Sequence, residues 1–223
     1  IDALINKFGY SREFTVECGR IDSLSLDILK MLKNKGVNRI SLNPQTFNEE
    51  VINKLNRVSN KDFGFWFDKA RELGFETINM DLIMGLPGED KASILDSIKK
   101  AIDFSPENIT LHTLALKNGS KLFENSYHNN EDFGNLLEES KKLLMENNYE
   151  PYYLYRQKKS VISSENIGYA KKGHASVYNI VMMEELENII GFGLGASTKI
   201  LNEKGKFERN LNSKNLEDFL RRR

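Results

Sequence analysis

Side chains able to do chemistry recur at regular places in this sequence. Glu17 comes first, then Asn43 and Gln45, then Asp81, then His112 and Thr113, each at or near the end of an apolar, β-branched run. Asp81 is the most telling. It interrupts Ile78-Asn79-Met80-Asp81-Leu82-Ile83-Met84, where a carboxylate on an inward face must be hydrogen-bonded or must bind something. Gln45 and Arg57 flank a predicted helix, so they are placed to contact the hydroxyls and carboxylate of a ligand, arginine through its two-pronged fork. No intrinsic metal site is expected. His112, His128 and His174 are scattered, and Cys18 is the only cysteine, which excludes internal disulfides and cannot build a zinc or iron–sulfur site alone.

The elements that must carry these residues follow from periodicity. Strand-like runs alternate with 3.6-period segments about four times, the pattern of β/α units around a parallel sheet or barrel. Strands are predicted over Glu13–Cys18, Arg39–Leu42, Thr77–Met84 and Ile109–Leu116. Between them lie a helix turning Leu24, Ile28, Met31 and Leu32 inward and ending at Gly36, a helix capped by Asn48 with Phe47 and Ile52 as a hydrophobic staple, an aromatic helix through Phe63, Trp66, Phe67, Ala70 and Leu73, and a helix capped by Asp90. In such architectures the working residues sit at the carboxy ends of strands. After Gly119 the rhythm changes to a helix around Phe133–Met145, a strand at Tyr152–Tyr155 and a Gly191-Phe192-Gly193-Leu194-Gly195 bend. The glycine spacing differs from the dinucleotide fingerprint and reads as a tight strand exit.

Composition limits the function classes. Lys plus Arg and Asp plus Glu are each 32, so no global field draws the chain to nucleic acid or an anionic membrane. The Arg221–Arg223 cluster reads as a solvated end. With no run near the length of a membrane span and no secretory-signal layout, the expectation is a cytoplasmic protein without nucleic-acid or membrane partners. The start at Ile1 and the early apolar segment lead to the expectation of a fragment with an upstream part missing.

Taken in order, Glu17, Arg39–Phe47, Arg57, Asn79–Gly88 with its Asp81-Leu82-Ile83-Met84-Gly85-Leu86-Pro87-Gly88 string, and Ile190–Ala196 resemble the oxygen-independent coproporphyrinogen III oxidase family of radical S-adenosylmethionine enzymes. The resemblance runs from about residue 13 to 200. It implies an α/β fold, a partial TIM-like (β/α) barrel lacking its first two strands. The barrel part would span residues 1–120, and a carboxy-terminal α+β coproporphyrinogen oxidase-like region 121–223. It implies that Glu17, Gln45, Arg57 and Asp81 hold S-adenosylmethionine, Arg57 near its carboxylate and Gln45 and Asp81 near its ribose. Ile83 would offer backbone to the adenine, with Thr113 as a looser match. In the family, three cysteines of a Cys-x-x-x-Cys-x-x-Cys loop hold a 4Fe-4S cluster, soft thiolates suiting iron; this chain lacks them.

The implied reaction, for the complete protein, cleaves the cofactor to a 5′-deoxyadenosyl radical that removes hydrogen from a porphyrinogen propionate, which then loses carbon dioxide and becomes vinyl. The chain alone is expected to be inactive and to self-associate through an exposed barrel edge. Glu17-Cys18-Gly19-Arg20 in place of Glu-x-Asn-Pro, Asn43-Pro44-Gln45 in place of Gly-x-Gln, Tyr152–Gln157 and Asn166–Ala170 point to the coproporphyrinogen dehydrogenase-like side branch, the last two segments as candidates to line a porphyrin-sized cleft. Two other readings stand beside this one: a haem-binding, haem-delivering relative, and a non-catalytic β/α domain. The electron donor is not indicated.

Overall fold

The computed structural model describes residues 1–55, 57, 59–116, 133–156, 160–161 and 165–221. Gly119, His128, Gln157 and Arg222–Arg223 lie outside them. The chain forms two compact units, Ile1–Ala175 and Ser176–Arg223.

The first unit opens with α1 (Asp2–Phe8), which buries nothing, and then runs through three parallel crossovers. Strand β1 (Thr15–Gly19) leads through α2 (Leu26–Asn34) to β2 (Arg39–Leu42). The chain continues through α3 (Glu49–Lys54) and α4 (Phe63–Glu72) to β3 (Thr77–Met84), and through α5 (Lys91–Phe104) to β4 (Asn108–Thr113). After α6 (Leu136–Glu146), β5 (Glu150–Tyr155) and β6 (Asn166–Ala170) extend the same sheet, giving the order β1-β2-β3-β4-β6-β5. The first four strands are parallel, and β6 runs antiparallel to both β4 and β5.

Strand alternation divides the sheet into two chemically distinct faces. Ile40, Leu42, Ile78, Met80, Leu82, Met84, Ile109 and Leu111 are all buried in one core with Leu29 and Leu32 of α2, Phe63, Phe67 and Ala70 of α4, and Ile94 and Ile98 of α5. The alternate positions, Ser41, Asn79, Asp81, Thr110 and His112, make the other face polar. The register places them side by side: Glu17 opposite Ser41, Ser41 opposite Asn79, Asp81 opposite Thr110.

Helix ends follow side-chain chemistry. Asn48 accepts from the backbone N–H groups of Glu50 and Val51, and Asp90 from that of Ser93, so both expected N-caps form. Gly36, at φ 81°, takes the left-handed position after α2. The strand limits at β2 and β3 match expectation, whereas β1 begins two residues late and β4 ends at Thr113, leaving Ala115 in an isolated bridge to Ser160. The α2 face is corrected. Leu29 and Leu32 are buried, while Ile28 and Met31 are about two-fifths exposed. Leu24 precedes the Ser25 cap in extended backbone, so counting helical turns from it shifts the face by one residue. Phe47 packs against Phe63 and Phe104, with ring centroids 5.4 and 5.7 Å away.

The second unit contains α7 (Val177–Glu184), a hairpin of β7 (Ser197–Leu201) and β8 (Phe207–Leu211), and α8 (Leu216–Arg221). Its glycine bend precedes a strand instead of leaving one, since within 188–194 only Ile189 bridges to the sheet, at Lys199. Gly191 donates to Thr198 Oγ1 at 3.0 Å, and any Cβ there would meet the Ser197 backbone. The run is a packing device.

Candidate functional site

The polar face of the first unit is a continuous hydrogen-bonded field with Asp81 at its centre. Asn79 donates both amide hydrogens, to Ser41 Oγ at 2.9 Å and to Asp81 Oδ1 at 2.8 Å. Ser41 in turn donates to Asn43 Oδ1 at 2.7 Å, and that same oxygen accepts the Asp81 backbone N–H at 3.3 Å. Thr110 donates to Asn79 Oδ1 at 3.3 Å. His112 Nε2 stands 3.6 Å from Asp81 Oδ1, an electrostatic contact longer than a hydrogen bond. At the amino end of the face, Arg39 donates to the His174 carbonyl at 3.1 Å and Thr77 Oγ1 meets His174 Nδ1 at 2.9 Å.

Two carboxylates share this field. Partial burial, and then the negative charge of Asp81, push the Glu17 carboxyl above its ordinary pKa, while hydrogen bonds with Ser41 and Asn43 pull it down. Cys18 alternates to the opposite face and packs on the core; burial and the neighbouring Glu17 charge push its thiol up to about 11. A thiol so disfavoured as thiolate is a poor nucleophile and a poor metal ligand. No group of three or more metal-ligating side chains occurs among the described residues.

Gln45 is joined to the centre through its backbone. Its φ of 66° is left-handed, unusual for a residue with a Cβ, and the conformation is held at both ends. Its N–H donates to the Asp81 carbonyl at 3.0 Å and its carbonyl accepts from Ile83 N–H at 2.8 Å. Such local strain persists where surrounding bonds over-determine it, often at functional sites. The Ile83 N–H is therefore already engaged by Gln45.

Arg57 lines a cleft with Arg20, Asp22, Asn43, Pro44 and Asn60. Arg20 is committed to Asp22 by two hydrogen bonds, of 2.9 and 2.7 Å. The Arg57 guanidinium has no hydrogen-bond or ion-pair partner among the described residues. Burial, then the positive charge of Arg20, lower its pKa. Asn43 belongs to both places, lining this cleft and bonding into the Asp81 field, so the two are contiguous. A half-buried unpaired guanidinium next to a carboxylate and amide row suits a small zwitterion bearing hydroxyl groups.

The structure thus brings Glu17, Gln45, Asp81 and Ile83 together, and links Arg57 through Asn43. It does not bring Thr113 in. By alternation Thr113 belongs with Ile109 and Leu111; its N–H and hydroxyl both donate to Asn166 Oδ1, at 2.6 and 3.4 Å, and it is buried. Sequence reasoning passed over Ser41, Asn79 and Thr110 as site residues. The signal for Asn79 was present, since Thr77, Asn79 and Asp81 alternate with Ile78, Met80 and Leu82.

The radical SAM superfamily profile matches residues 3–101. Over 214 residues the chain is 36% identical to the oxygen-independent coproporphyrinogen-III oxidase-like protein HemZ of Bacillus subtilis, covering 93% of this chain and 43% of that protein. It is 33% identical over 190 residues to the heme chaperone HemW of the same organism, covering 82% and 47%. The solved structure of coproporphyrinogen III oxidase HemN from Escherichia coli superposes with a TM-score of 0.68 at 22% identity, over 92% of this chain and 47% of that one. That likeness identifies the α/β sheet of the first unit as part of a TIM-like barrel. The chain spans less than half the length of the curated relatives it matches. The chain carries a radical SAM domain, and over most of its length it is similar to coproporphyrinogen oxidase-like proteins.

Proposed function

We propose that this chain supplies the S-adenosylmethionine-holding part of a porphyrinogen decarboxylase, a cytoplasmic protein converting coproporphyrinogen III to protoporphyrinogen IX. The observation carrying this reading is the Asp81 carboxylate, held through one oxygen in a polar row and bridged by its backbone to a strained Gln45. The residues fit the cofactor: Arg57, a cation without an ion-pair partner among the described residues, suits its carboxylate, and Asp81 and Gln45 suit its ribose hydroxyls, with Glu17 beside them. They do not fit the iron–sulfur cluster, for Cys18 is alone and held as a thiol. When bound, the cofactor supplies the radical chemistry of the superfamily. The work of these residues is binding and orientation. Residues 1–120 are proposed to carry this site, and 121–223 to serve the substrate side.

A second reading is haem delivery, favoured by the similarity to a protein named as a heme chaperone. Carbon dioxide release from coproporphyrinogen III by the full-length, cluster-loaded protein supports the first reading, and tight haem binding without release supports the second.

Binding of S-adenosylmethionine is tested with Gln45→Gly. Glycine removes the left-handed strain but adds unfolded-state entropy, so the unfolding free energy should stay within about 0.5 kcal/mol of wild type. Loss of the side-chain contact should weaken cofactor binding about tenfold by calorimetry. Unchanged affinity would remove Gln45 from the site.

A further inference from the structure

The contact that reaches Asp81 from the far side of the sheet begins on β5. Tyr155 Oη lies 3.3 Å from His112 Nδ1. It reaches across β6 to touch β4, two strands away in the order of the sheet. Gly168, on β6, makes room for the neighbouring Tyr153. It stands opposite both Thr110 and Tyr153, and the Tyr153 ring occupies the space a Cβ would need. The two phenol rings are nearly parallel, 4° apart in plane with centroids separated by 6.4 Å.

Counting hydrogens gives these contacts a direction. The Thr110 hydroxyl donates its single hydrogen to Asn79 Oδ1. Asn79 then donates to Asp81 Oδ1. A Tyr155 O–H donated to Nδ1 leaves the His112 ring hydrogen on Nε2, the nitrogen facing Asp81 Oδ1 at 3.6 Å. Asn79 and His112 thus meet the same carboxylate oxygen. Asp81 Oδ2 has no hydrogen-bond partner among the described residues.

We infer that Tyr155 is a positioning residue for the cofactor site: acting through His112, it helps to pin Asp81 Oδ1 and turn Oδ2 to the ligand. The inference rests on the reading of Asp81 as a contact for the cofactor's ribose. It places a determinant of cofactor affinity on β5, outside the stretch that matches the superfamily profile, which ends at residue 101.

The test uses the full-length, cluster-loaded protein and S-adenosylmethionine as probe. Tyr155→Phe keeps the ring and removes only the hydroxyl, so the melting temperature should hold while affinity falls about five- to tenfold. In an Asp81→Asn background the same change should have no further effect, because the tyrosine acts only through that carboxylate. In 15N-histidine spectra the His112 signal, assigned with His112→Gln, should show hydrogen on Nε2 in wild type and lose that preference in Tyr155→Phe. Equal affinity of wild type and Tyr155→Phe, or an undiminished loss in the Asp81→Asn background, overturns the inference. Absence of binding by wild type instead overturns the cofactor reading beneath it, a result distinct from either.

Discussion

Replacing Glu89 with glutamine is expected to flatten the pH dependence of folding stability between about pH 5 and 8, where the wild-type protein should lose up to about 3 kcal/mol. Glu89 follows the Leu86-Pro87-Gly88 turn and is 1% exposed. Its Oε1 accepts from Thr46 Oγ1 at 2.5 Å, and Thr46 also meets Ser97 Oγ at 3.2 Å and accepts the Asn48 N–H at 3.1 Å. Glu89 Oε2, buried, has no hydrogen-bond partner among the described residues. Burial therefore dominates and raises the carboxyl from its ordinary 4.5 to about 7, against the hydrogen bonds from Thr46 and from backbone.

The sign follows from proton counting. Below about pH 4.5 both the folded and unfolded chains hold the proton, and the stability contribution is fully present. As the pH rises, the unfolded chain releases its proton first, so stability falls, and the loss is complete once the folded carboxyl ionises above about 7. Glutamine keeps an acceptor for Thr46 and cannot ionise. Urea unfolding of the two proteins at about pH 5, 6.5 and 8 should give curves that diverge with pH, the variant being the more stable at the alkaline end. Curves that stay parallel would mean that Glu89 ionises in place without penalty. Thr46 adjoins Gln45, so the alkaline form should also loosen the loop that presents it.

Glu89 was illegible in the sequence for a physical reason: a charged residue beside Asp90 and after Pro-Gly reads as a solvated turn, and its burial depends on Thr46 and Ser97, brought in from two other elements. The β2 and β3 limits were legible because apolar alternation stops where the polar turn begins, and the Asn48 and Asp90 caps because capping is local. His112 is legible as a polar group near a strand end, but not its partners. Its partners Asp81 and Tyr155 are on two other strands, so only sheet order reveals the arrangement. Asn166–Ala170 is a strand that local sequence does not signal. Its asparagine and glycine disfavour extended structure locally, and pairing with β4 on one side and β5 on the other overrides that preference.

Gly168 is where that override is most exposed to test. A glycine inside a strand marks a close approach, and here the group approaching is the Tyr153 ring, whose atoms would overlap any Cβ on residue 168. Gly168→Ala should therefore expel the ring and cost about 1–3 kcal/mol of stability, the range of overpacked cores. The backbone itself should not object, since Gly168 is not among the glycines with positive φ. In a Tyr153→Ala background, the same Gly168→Ala change should cost nothing measurable, because the atoms it strikes are gone and alanine suits a strand better than glycine. Chemical unfolding of the wild type, the two single variants and the double variant closes the cycle. Equal costs of Gly168→Ala in both backgrounds would show that the strand, and not the tyrosine lying over it, requires the glycine.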